Sequence, residues 1–280
     1  MKNLKKALAL LLALLMVISM AACAGKTETE APKETDAPSA ESPKEEKQEE
    51  APVAEDPSET GVLRLQWTTA EGSTDKFGFA WYSPHYSINM IFDALLSIEP
   101  ADGSYIPHIA SDWTVSDDGT TYVFTIREDA KWHDGEPVTI GDVLFSVNGY
   151  LKHPVAHRGA PLRTAIEGGE AYYNGEADTV SGISASGNEL TIQLTAPRSD
   201  FLMYLTNIFI LPEHLLGDVP IENIYEDPYW ECPIGSGPYK IAEMNAPDYY
   251  VAERADTWYG EPAGIKTIVC TSSGKSTVLC

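Results

Sequence analysis

The stretch Thr120 to Ser146, TTYVFTIREDAKWHDGEPVTIGDVLFS, sets strand, turn, aromatic corner and capped helix end to end. It leaves little freedom for what surrounds it. Tyr122, Phe124 and Ile126 alternate with Val123, Thr125 and Arg127, the period of a β-strand with one apolar face, and Arg127 closes its polar end. Asp117-Asp118-Gly119 ahead of it reads as a hairpin turn. Trp113 and Val115, alternating with Asp112, Thr114 and Ser116, read as the antiparallel partner strand. After the turn Lys131-Trp132-His133-Asp134-Gly135, Thr139 stands three residues before Asp142. That spacing is close to a capping box, and the apolar run Val143, Leu144, Val147 behind it predicts a helix of about three turns.

These residues resemble a known family, the extracellular solute-binding proteins of ABC importers, family 5, whose members bind peptides, nickel or oligosaccharides. The family carries a strand ending Phe-x-Leu-Arg, a Lys-aromatic-x-Asp-Gly turn, and Pro-hydrophobic-Thr-Ala-x-Asp-Val opening a helix. Here these read Phe124-Thr125-Ile126-Arg127, Lys131-Trp132-His133-Asp134-Gly135 and Pro137-Val138-Thr139-Ile140-Gly141-Asp142-Val143. Gly235-Ser236-Gly237-Pro238-Tyr239 is similar to the family's Gly-Thr-Gly-Pro-Tyr. Arg254-Ala255-Asp256-Thr257-Trp258-Tyr259-Gly260-Glu261-Pro262 is similar to its Arg-Asn-x-x-Tyr-Trp-x-Gly-x-Pro.

The resemblance implies an α/β fold of the periplasmic-binding-protein type (type II). Residues 61–98 and 237–269 would form one lobe, interrupted by an inserted α+β domain over 99–236. It also implies capture of an oligopeptide, a dipeptide or a similar small solute between two lobes that close on it. Delivery to the membrane permease of an ABC importer would follow, with no bond broken, no cofactor and no catalytic residue. A nickel- or oligosaccharide-binding member, a secreted hydrolase and a structural surface lipoprotein are the alternatives. The resemblance runs from Val62 to Val269, about the first half of a family member. The tail over 270–280 departs from family character, which predicts a truncation or frameshift. The second lobe would then be missing, and a cleft with one wall would bind its solute weakly or not at all.

Lys2, Lys5 and Lys6 precede the apolar run Ala7 to Ala22, so residues 1–22 read as an export signal. Met20-Ala21-Ala22-Cys23 resembles a bacterial lipoprotein box, which would make Cys23 the lipidated first residue of the mature chain; the alternative is an ordinary signal cleaved after Ala22. Residues 23–60 offer almost nothing to bury, and from Ala24 to Thr60 four lysines stand against twelve acidic residues. Such a segment is a self-repelling tether suited to holding a domain off an extracytoplasmic membrane face. The whole chain carries −23, which argues against nucleic acid as a partner.

The loop after the first strand, Val62 to Trp67, places Phe77, Phe79, Trp81 and Tyr82 in six residues. Phe77 and Phe79 read as core packing. Trp81 and Tyr82, with flanking Ala80 and Ser83, read as ligand contacts, because the resemblance puts this segment on the cleft wall just before a helix. That helix is predicted over Pro84 to Leu96, with Ile88, Ile91, Phe92, Leu95 and Leu96 on its core face. Further expected elements are a helix over Arg158 to Gly169 and a hairpin of Val180 to Ser186 with Glu189 to Thr195. A helix through Leu205 capped by Ser199 or Asp200, a second hairpin of Tyr239 to Met244 with Tyr249 to Ala255, and a strand Ile265 to Val269 complete the set.

Chemistry-bearing constellations are sparse. His153 and His157 have helical metal-ligand spacing, but Pro154 lies between them and no third ligand is near. Asp117-Asp118 serves a turn, no nucleophile elbow occurs, and Gly274-Lys275-Ser276-Thr277 lacks the first glycine of a phosphate loop. Cys232, Cys270 and Cys280 show no metal spacing, and a Cys232–Cys270 disulfide is left open.

Overall fold

A computed structural model describes residues 61–67, 86–153, 159–245 and 248–272. The signal and tether, Phe77, Phe79, His157, Cys280 and the Gly274-to-Thr277 run lie outside them. Strand β4 (Ala110–Val115) pairs antiparallel with β5 (Thr121–Ile126) across Gly119, whose φ of 69° is one that glycine adopts without steric penalty. Tyr122, Phe124 and Ile126 are all buried, as alternation requires. β5 pairs in turn with β7 (Glu189–Gln193), and β7 with β6 (Ile183–Ser186) across Gly187, giving the sheet order β4-β5-β7-β6. Phe124 sits opposite Leu190 and Tyr122 opposite Ile192, so the core face is continuous across the two central strands. The partner strand forms as expected, at the edge of the sheet. β4 carries a register shift between Ala110 and Asp112, and Val115 is exposed.

A second four-stranded sheet has the order β1-β10-β9-β8, from β1 (Val62–Trp67), β8 (Tyr239–Asn245), β9 (Tyr249–Arg254) and β10 (Thr267–Ser272). β1 runs parallel to β10, with Leu65 opposite Cys270, and β10 pairs antiparallel with β9, with Cys270 opposite Tyr250. The chain therefore leaves this sheet after β1, builds the other sheet and its helices, and returns at β8. That is the α/β lobe with an interrupting α+β segment. β10 runs on through Ser272, past the Val269 at which the strand was expected to end. Cys270 is fully buried in it while Cys232 is exposed, and no disulfide joins them.

Helix α1 (Tyr86–Ile91) is shorter than its apolar periodicity predicts, because long-range partners take its carbonyls. Gly237 donates its backbone N–H to Ile91 O at 2.8 Å, and Ile210 donates to Asp93 O at 2.8 Å. Asp93 Oδ1 also accepts from Ala94 N–H at 2.8 Å, the competition by which Asp disfavours helix continuation. Leu96 instead starts β2 (Leu96–Ile98), paired with β3 (Tyr105–Pro107).

The capped helix α2 (Ile140–Lys152) forms as predicted, with a complete capping box. Asp142 Oδ2 accepts from Thr139 N–H at 2.7 Å and from Thr139 Oγ1 at 2.8 Å. Asp142 Oδ1 accepts from Glu213 N–H at 2.8 Å, and one turn later Ser146 Oγ accepts from Leu211 N–H at 2.7 Å. Two buried side chains on α2 thus hang the 211–213 segment, and with it α6 (Glu213–Leu216), on the helix. Its last carbonyls are closed by the buried Arg163, which donates to Leu151 O at 2.7 Å and His153 O at 2.5 Å.

The helix expected over Arg158 to Gly169 forms as α3 (Gly159–Ala165), and beyond it Gly168, at φ 77°, turns the chain into a separate helix α4 (Gly169–Asn174) that the sequence did not predict. Asp200 precedes α5 (Phe201–Leu205) without capping it. Its carboxylate turns instead to Arg198, at 2.8 Å, and to Tyr204 Oη, which donates at 2.9 Å, and it makes no bond to the helix N-terminus. Among the described residues no helix is long and apolar enough to cross a membrane.

Candidate functional site

Ala80, Trp81, Tyr82 and Ser83, the ligand contacts expected from sequence, lie outside the described residues, as does Cys23. The described chain resumes at α1, which begins three residues after Ser83. Two junctions fix the end of α1, and both are built from the motifs singled out above.

The first joins the 131–135 turn to the 235–239 segment. His133 donates its backbone N–H to Gly235 O at 2.9 Å, and Gly235 returns its N–H to His133 Nδ1 at 3.2 Å. His133 Nε2 lies 2.9 Å from Gly237 O. A backbone N–H can only donate and a carbonyl can only accept, so these partners require the neutral ring with its proton on Nε2. Burial pulls the His133 pKa down to about 4, the Gly237 carbonyl and Asp134 opposing it and Lys240 adding to it. On the far side of the segment Gly235 touches α1, where a Cβ would stand 1.8 Å from Ile91 O. Trp132 is fully buried 6.1 Å from the His214 ring, and His214 Nε2 lies 2.9 Å from Asp134 Oδ2.

The second junction centres on Asp93, two residues past α1 and buried. Its Oδ1 accepts from His108 Nδ1 at 2.6 Å and its Oδ2 from the Tyr259 hydroxyl. Arg127 lays its guanidinium over the Tyr259 ring, 3.4 Å from the centroid, and donates to His108 O at 3.2 Å and to Asp129 at 2.7 Å. Burial first, then the Asp93 charge and hydrogen bond, push the Tyr259 phenol far above its ordinary pKa, so it stays a donor. Trp258 stacks obliquely on Tyr259 with centroids 4.2 Å apart. Residues from the Arg127 strand end and the Trp258-Tyr259 motif thus meet around a carboxylate that the sequence reading did not single out. The available signal was an acidic residue inside the apolar run Ile91-Phe92-Asp93-Ala94-Leu95, which needs a partner if buried.

These side chains position one another, and both nitrogens of His133 are occupied by structural bonds. Among the described residues no group of three or more His, Cys, Asp or Glu is placed to hold a metal ion. Asp118 accepts from Ser116 Oγ, Thr120 N–H and Thr120 Oγ1 within its own turn. Grooves of about 230 Å³ and about 300 Å³ lie on the part of the chain around β5, β6 and α2, and neither is lined by His133 or residues 235–237.

The model of the bacterial extracellular solute-binding proteins, family 5 (middle), matches residues 104–279, including most of the tail set apart above. The dipeptide-binding protein DppE of Bacillus subtilis is 35% identical over 160 residues, covering 55% of this chain and 28% of that protein. The nickel-binding periplasmic protein of Escherichia coli is 30% identical over 196 residues, covering 66% and 34%. The chain thus spans about a third of the length of these curated relatives. Among solved structures, Listeria monocytogenes OppA bound to peptide matches with a TM-score of 0.62 at 21% identity, over 76% of this chain and 42% of that one. NikZ from Campylobacter jejuni in complex with Ni(L-His) matches with a TM-score of 0.57 at 24% identity, over 76% and 39%.

Proposed function

Because the chain belongs to the bacterial extracellular solute-binding proteins of family 5, we propose that it contributes one wall of a receptor that captures a peptide outside the membrane for an ABC importer. The observation that carries this reading is the family match over 104–279. The likeness to DppE, a dipeptide-binding protein, favours a peptide as the solute. In this reading Trp81 and Tyr82 cover the solute's apolar side chains, with Ala80 and Ser83 beside them. Cys23 carries the lipid that keeps the receptor at the extracytoplasmic face, and the acidic tether gives it reach to a membrane permease. Hinge closure, rather than a chemical step, retains the solute, which selects the closed state by its extra contacts there.

Tryptophan fluorescence during titration with a pool of di- to hexapeptides checks this. With one wall of the cleft the chain is expected to give at most a weak saturable change, and Trp81→Ala with Tyr82→Ala is expected to weaken it at least about tenfold further, the scale of losing aromatic contacts at an interface. Saturation by Ni2+–histidine and by no peptide would move the reading to the nickel-binding members. Hydrolysis of the peptides would overturn it.

A further inference from the structure

The segment 235–237 is where the chain crosses from one sheet back to the other, and it is gripped from two sides. On one side stands α1, with Gly237 N–H bonded to Ile91 O and no space for a Cβ at Gly235. On the other stands His133 with its three bonds, spanning more than a hundred residues of sequence. Gly235 N–H points at Nδ1, so a proton added to that nitrogen would set two donors against each other and remove the bond. We propose that His133 is a positioning residue that latches the crossover while neutral and releases it when its ring takes up a proton, loosening the support of α1. Its consequence for solute binding rests on the proposed function; the latch itself does not.

The charged and titratable groups around the ring come from several elements. Asp134 lies on the same turn and Lys240 on β8. His214 of α6 engages Asp134. Tyr229, whose hydroxyl donates to Ile234 O at 2.6 Å, is kept neutral by burial. The sign follows from the direction of the shift. With the folded pKa near 4 and the ordinary value 6.5, the unfolded chain binds more protons between these limits. The latch's contribution is complete above pH 6.5 and is lost as pH falls toward 4.

Nitrogen NMR of the histidine-labelled 280-residue chain, with hydrogen exchange at Gly235 and Gly237, tests the latch without any solute. The expected result is a single Nε2–H tautomer at neutral pH, titrating near 4, with faster exchange at both glycines through the same midpoint once the intrinsic pH dependence is removed. Peptide affinity measured over the same range should then fall about tenfold per pH unit below that midpoint. His133→Gln, which keeps an acceptor and a donor but does not titrate, should flatten that fall. Titration of His133 near 6.5 with unchanged exchange, or the same acid dependence in His133→Gln, would overturn the proposal. A chain that shows the latch by NMR but binds no peptide at any pH would leave the latch standing and remove the solute reading instead.

Discussion

Gly235→Ala is expected to destabilise the fold by more than about 3 kcal/mol, the range reserved for steric conflict that a core cannot relieve. The added methyl would lie 1.8 Å from Ile91 O and 2.6 Å from Ile91 C, both backbone atoms at the end of α1. Neither can swing aside as a flexible side chain would. The opposite side offers no retreat, since His133 holds the same residue through its own backbone and ring. Gly264→Ala supplies the control: nothing lies within 4 Å of its built Cβ and its φ is not positive, so its effect should stay within about 0.5 kcal/mol. Urea melts of both variants decide the matter. A loss below about 1 kcal/mol for Gly235→Ala would show that the 235–237 segment is not packed against α1 as described.

Asp142→Ala is the second large effect, expected at about 3 kcal/mol, because removing a buried ionisable acceptor leaves several donors unpaired at once. The carboxylate closes the capping box with Thr139 and also receives Glu213 N–H, so its loss frays the start of α2 and detaches α6 together. Ser146→Ala strands only Leu211 N–H and gives up the serine's own bond to Asp142 O, and should cost about 1–2 kcal/mol. The two side chains hold one segment, so the double variant should lose less than the sum of the singles. Equal and fully additive losses, read from the same urea melts, would mean that 211–213 is not docked through α2.

The parts of this fold that could be read from sequence are those decided within a few residues. The Thr139 and Asp142 pair three apart, the Gly119 and Gly187 turns, and the alternation of Tyr122, Phe124 and Ile126 each depend on neighbours in the chain, and each formed. What failed was decided at long range in the case of α1 and by side-chain competition within four residues in the case of Asp200. α1 stops at Ile91 because Gly237 and Ile210 take the carbonyls a further turn would have needed, and no periodicity within residues 84–96 carries that information. Asp200 has the right residue type for a cap, yet Arg198 and Tyr204 outcompete the backbone for its oxygens. The family resemblance located the 131–135 and 235–239 motifs but not their purpose. Their meeting at His133 became visible only when residues 102 apart in sequence were brought together.

The central claim, that the residues just before α1 form a wall of the solute site, is tested most directly by photo-crosslinking. A short peptide carrying a benzophenone side chain is irradiated with the 280-residue chain, and the adduct is mapped by mass spectrometry. The account predicts label on Trp81 or Tyr82, suppressed by excess unlabelled peptide. Competable label confined to other residues, such as the groove beside Tyr172 and Asp178, would contradict it.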